Sequence, residues 1–176
     1  MTSSSKAEGI ENLVTDIFNF AIAREDLKEQ LKIISENSNA NLVAVEYEIQ
    51  LLKILSAGWS ISFFMGQDPD KTLIAKTFWN SIQEFAKNIS DMTSTTTGKD
   101  IDYFNILKER VDIYVNALSY FSDVQDPSAV IGPTFAKLCG CEEDIYTINA
   151  GKNIFNHCLK NVKAFLENDR LERKFI

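Results

Sequence analysis

The sequence predicts an all-α fold, an up-and-down bundle of five long helices and one short helix in a single domain. Three observations carry this expectation. Apolar residues recur by threes and fours along most of the chain, at the pitch of a helix. Glycine (7) and proline (3) are scarce and fall between the periodic segments, which favours long helices over a many-turned β fold. The 176 residues, 45% apolar and 24% charged, are enough for one domain with a substantial core.

In order, residues 1–7 read as a tail, 8–169 as the bundle and 170–176 as a C-terminal tail. From Glu8 to Glu36, Ile10, Leu13, Ile17, Phe20, Leu27, Leu31 and Ile34 mark one long helix. Arg24 occupies the missing place in that series, so it either snorkels over the helix edge or marks a bend at Arg24-Glu25-Asp26. A polar turn from Asn37 to Asn41 leads into the central segment, Asn41 to Met65. There Glu46, Gln50, Lys53 and Ser60 form a narrow polar stripe, and nearly everything else is apolar or small. The segment is therefore expected to be wrapped by its neighbours.

Gly66 ends this helix, and Asp68-Pro69-Asp70 starts the next with an N-cap, a proline at the first position and an acid in the first turn. Ile74, Phe78, Ile82, Phe85 and Ile89 give it a broad apolar face. Ser90 to Lys99, rich in serine and threonine, reads as the clearest loop, with Thr97 and Asp100 as a capping box for the next helix. In that helix Phe104, Leu107, Val111, Tyr114, Leu118 and Phe121 form a clean seam, opposite an acidic face of Asp102, Asn105, Glu109, Asp112 and Asn116. After Asp126-Pro127 a short helix is expected, interrupted by Gly132-Pro133. The last long helix begins behind Glu142-Glu143-Asp144 and buries Ile145, Ile148, Phe155, Leu159, Val162 and Leu166.

A net charge of −7 and a pI near 4.8 work against phosphate backbones, so nucleic acid is excluded as a partner. The opening MTSSSKAEG carries no apolar leader. The most hydrophobic run, Leu51 to Gly66, holds Lys53, Ser56, Ser60 and Ser62 and is too short to span a bilayer. Three cysteines, an odd number, do not suggest a disulfide framework, and a cytoplasmic setting is expected.

Glu48 is the first candidate for chemistry. It projects between Ala44, Leu52, Leu55 and Trp59 in the apolar arc of the central helix, where loss of water raises a carboxyl pKa. Tyr47 and Trp59 lie nearby on the same helix, and Ala57, Gly58 and Ser62 leave room for a ligand pocket or for close helix contact. The structural alternative is that Glu48 is satisfied by a hydroxyl, by Arg24 or by a backbone group of another helix.

His157 is the single histidine, and it points away from the Leu159 seam. The string His157-Cys158-Leu159-Lys160 resembles the phospho-accepting site of histidine-phosphotransfer domains, in which a lysine one turn on favours the incoming phosphate. That resemblance implies His157 as acceptor and Lys160 as its helper. Asn161 stands where the family has glycine.

No metal and no cofactor are expected. A di-iron bundle needs paired Glu-x-x-His motifs, and Ile154 stands three residues before His157. Zinc through Cys139, Cys141, His157 and Cys158 has the right atoms, but His157 and Cys158 diverge by about 100° on one helix. Nothing basic beside Cys139-Gly140-Cys141 activates a thiol.

These residues suggest three functions. The leading one is a non-catalytic regulatory or protein-interaction bundle presenting an acidic face, or a groove around Gly58, to a protein partner. The second is a small-ligand-binding bundle with a pocket at Glu48, Tyr47 and Trp59. The third is phosphotransfer through His157. Apolar surface left on the first helix (Val14, Phe18, Ile22) also raises the prospect of a homodimer.

Overall fold

The computed structural model describes the backbone of residues 3–174 and the side chains of residues 7–170. Residues 1–2 and 175–176, the extremes of the two expected tails, lie outside the described residues. All secondary structure within them is helical: α1 (Ser3–Ile22), α2 (Leu27–Asn37), α3 (Leu42–Met65), α4 (Lys71–Thr97), α5 (Tyr103–Tyr120), α6 (Ser128–Leu138) and α7 (Ile145–Lys174).

Helix α3 is the axle. It touches each of the other six helices, most extensively α7. Burial extends around most of its circumference and takes in most of the stripe predicted to be polar: Gln50, Lys53 and Ser60 are buried along with Ile49, Leu52 and Ile61. The reason lies in the first helix, which is two helices rather than one. The chain breaks between Ile22 and Leu27, at the bend that Arg24 marks, and the last carbonyls of α1 lose their helical partners. Gln50 Nε2 donates to Ala21 O (3.0 Å), and Lys53 Nζ donates to Ala23 O (2.7 Å). The polar stripe of α3 thus closes the end of α1. Arg24 pairs with Glu46 at the rim.

The expected loop at Ser90–Lys99 is a correction: α4 runs through it to Thr97. Hydroxyls there bond back to carbonyls one turn earlier, including Thr93 to Ile89 O (2.8 Å), Thr96 to Met92 O (2.7 Å) and Thr97 to Thr93 O (2.7 Å). Serine and threonine are thereby accommodated inside a helix instead of ending it. Gly98, at φ 69°, stops α4 in the left-handed conformation, and its N–H donates to Ser94 O (2.8 Å). The N-cap of α5 is Asp102, which accepts from Asn105 N (2.9 Å), and not the expected Thr97–Asp100 box. Asp100 instead accepts from Ser94 Oγ (3.0 Å).

Gly132-Pro133 does not interrupt α6 either. Pro133 lies on the solvent side, where the carbonyl left without its N–H partner is open to water. The apolar face of α1 is covered as well. Val14 is buried, and Phe18 meets Phe85 of α4 edge-on at 6.3 Å. Of the three residues expected at a homodimer face, Val14 is thus covered within the chain, while Phe18 and Ile22 are half-buried against the core.

Candidate functional site

Glu48 is 5% exposed and is held by Arg110 of α5 in a two-pronged ion pair. Arg110 Nε donates to Oε2 (2.8 Å) and a terminal guanidinium nitrogen donates to Oε1 (2.6 Å). That bonding raises the guanidinium's pKa further above its ordinary value. Both charges are spent on each other. The partner was legible in principle: Tyr103, Leu107, Arg110 and Tyr114 recur at four, three and four along α5, so a cation sits in a core position of the seam.

Tyr47 and Trp59 line different hollows. Tyr47 stands edge-on to Tyr103 at 6.1 Å, beside Arg24, Glu46 and Gln50. Trp59 lines a groove of about 210 Å³. From α3 this groove takes Ser56, Gly58, Trp59 and Ser62; from α4, Trp79; from α5, Val111, Tyr114 and Val115; from α6 and α7, Ile131 and Phe155. Glu48 is absent from its lining.

The walls are built by close approach. A Cβ on Gly58 would come within 2.3 Å of Trp79 Cζ2, so only glycine lets the indole lie against α3. Trp59 packs tilted against Phe155 at 5.8 Å between centroids. No carboxylate, imidazole, amine, guanidinium or thiol lines the groove. Two of its lining residues carry hydroxyls that are themselves fully buried, Ser56 Oγ (1% residue exposure) and Tyr114 Oη (4%), and neither has a hydrogen-bond partner. Burial, then the charge of Glu48, pushes the Tyr114 phenol well above its ordinary pKa, so it stays protonated. Sequence reasoning reached Gly58 and Trp59 but placed Tyr114 in the core seam. It overlooked Ser56, which one helix's periodicity does not separate from its apolar neighbours.

His157 is 43% exposed, and its Nε2 stands 3.3 Å from Asp26 Oδ2. The other carboxylate oxygen of Asp26 pairs with the fully buried Lys53 Nζ at 2.7 Å. Phe20 packs under both, 5.6 Å from the imidazole and 4.6 Å from the ammonium. Asn161 Nδ2 lies 3.3 Å from His157 Nδ1 and donates to His157 O (2.8 Å). A phosphoryl group on Nε2 would meet the Asp26 carboxylate, and a phosphoryl group on Nδ1 would meet Asn161. Lys160 is exposed on the next turn.

The three cysteines are free. Burial pushes the Cys139 thiol well up and the Cys158 thiol up to about 12. Cys158 Sγ points to Lys53 O at 3.7 Å, which makes it a core residue rather than a ligand. Among the described residues, no group of three or more His, Cys, Asp or Glu is placed to hold a metal ion, and no helix is long and apolar enough to cross a membrane.

The fold and the groove define an all-helical bundle with an uncharged, aromatic-walled cleft between its helices. No protein family, no curated protein and no solved structure matches the chain.

Proposed function

We propose that this protein binds a small apolar molecule in the groove between α3, α4, α5 and α7, and does not transform it. The observation that carries the reading is the apolar, aromatic-walled cleft of about 210 Å³ that Gly58 leaves open between Trp59, Trp79 and Phe155. An apolar pocket with few polar groups is the common form of a small-molecule site. No charged side chain lines the cleft, and no base stands beside its serines to activate one as a nucleophile.

Both tryptophans of the chain line the groove, so intrinsic fluorescence reports on it directly. Titration with a panel of small apolar compounds is expected to give a saturable change for some members. Val115→Phe, which adds a ring from the half-exposed rim, should weaken that binding by about ten-fold or more. A flat titration across the panel, or equal affinity in the variant, rules the reading out.

A protein-partner reading has its own support at the far end of α5. Tyr120 is 82% exposed and Phe121 51%, beside an acidic face (Glu109, Asp112, Asn116) that is open to solvent. Replacing both rings by serine should abolish capture of a partner; capture that persists argues against this surface.

A further inference from the structure

We infer that the outer face of α5 and the turn after it dock a basic amphipathic helix of a partner protein. The inference rests on the protein-partner reading above and is independent of the groove. Large apolar side chains left exposed crowd one short stretch: Val111, Ile113, Val115, Tyr120, Phe121 and Val124. Val111 and Val115 line the groove, and the other four do not. Tyr120 and Phe121 stand edge-on to each other, 4.9 Å between centroids, with both rings open to solvent. Single apolar residues are ordinary on a surface, whereas a cluster of this kind marks a contact.

Spacing specifies a helix as the occupant. Ile106, Ile113, Ala117 and Tyr120 follow one another by seven, four and three, which makes one stripe along α5. Ile106 and Ala117 are half-buried, Ile113 and Tyr120 are exposed, and the stripe lies beside the buried seam of Leu107 and Tyr114. A second helix fills such a row with its own residues at three- and four-residue intervals. All secondary structure among the described residues is helical, so they present no sheet edge to an extended strand.

Charge specifies the flanks of that helix. Residues 111–136 contain Asp112, Asp123 and Asp126 and no Lys, Arg or His. Asp112 and Asp123 are exposed and make no ion pair among the described residues, so their charge is open to a partner. A second copy on this face would set these acids against themselves, because a two-fold interface uses the same patch twice. An anionic membrane surface would repel them. Lys and Arg beside apolar anchors complement them.

A displayed library of helical peptides, randomised over the peptide surface and selected on the whole chain, tests this. The selected peptides should be rich in Lys and Arg beside apolar residues spaced by three and four. Synthesised and labelled, they should bind at least about ten-fold more weakly, by fluorescence anisotropy, to Tyr120→Ser/Phe121→Ser and to Asp112→Lys/Asp123→Lys. All four side chains are exposed, so these substitutions leave the core untouched.

Acidic or neutral selected peptides overturn the inference, as do basic peptides that bind either variant as well as the wild type. A dimer, or adhesion to phosphatidylcholine vesicles, that the serine pair abolishes also overturns it, because the face then has a different occupant. If no peptide is selected the inference falls, while the partner reading stands or falls on its own capture experiment.

Discussion

Glu48 and Arg110 meet in hydrocarbon through two parallel hydrogen bonds, their side chains 6% and 19% exposed. Taking such a pair out of water costs nearly as much as their attraction returns, so its worth shows when one member is lost. Arg110→Met is expected to lower the unfolding free energy by about 3–5 kcal/mol in urea, because Glu48 is left buried and alone. Glu48→Leu/Arg110→Met should recover most of that loss. A single variant within about 1 kcal/mol of wild type would show that Glu48 reaches water by another route. The sequence marked Glu48 as anomalous, because a carboxylate among Leu52, Leu55 and Trp59 violates its helix's pattern. It did not identify the partner. Periodicity assigns each helix a face but is silent on which residue of another helix crosses it, so Arg24 was the nearest guess and Arg110 the answer.

Helix α4 shows where local chemistry misleads. Ser90 to Thr97 has loop composition, yet its hydroxyls bond back to the preceding turn, and tertiary support at Ser90 Oγ, which accepts from Tyr103 N (3.1 Å), holds the end in place. Gly98 is the true stop. A Cβ there meets nothing within 4 Å, so Gly98→Ala carries only the conformational cost of a left-handed alanine, about 1 kcal/mol. Chemical denaturation of Gly98→Ala checks this, and a loss above about 2 kcal/mol would mean that the α4–α5 turn has rearranged. The same limit applies to α3. Its amphipathic stripe was readable, but that the stripe closes the end of α1 depends on a break whose location the sequence indicated and whose partner it did not.

Across the whole molecule, burial holds protons on the acidic side chains Tyr103, Tyr114, Cys139 and Cys158. Each has a folded-state pKa above its unfolded value. Above about pH 9 the unfolded chain releases these protons while the folded chain keeps them, so stability is full below that pH and declines as pH rises. Thermal melts between about pH 8 and pH 11 are expected to show a progressive fall in Tm, shallower in Cys158→Ala once its lower intrinsic stability is subtracted. A flat profile would place these groups in contact with water. The helical class and most faces were legible at this scale. The groove was legible on one side only, through Gly58 and Trp59, because Trp79, Tyr114 and Phe155 reach it from other helices.

The central position of α3 also bears on how the chain is made. Its most extensive neighbour, α7, is synthesised after the other six helices described. A nascent polypeptide halted before Ile145 would carry a greasy rod missing its largest cover, with Lys53 and Glu48 already committed to it. Such a fragment is prone to clump until α7 emerges and docks.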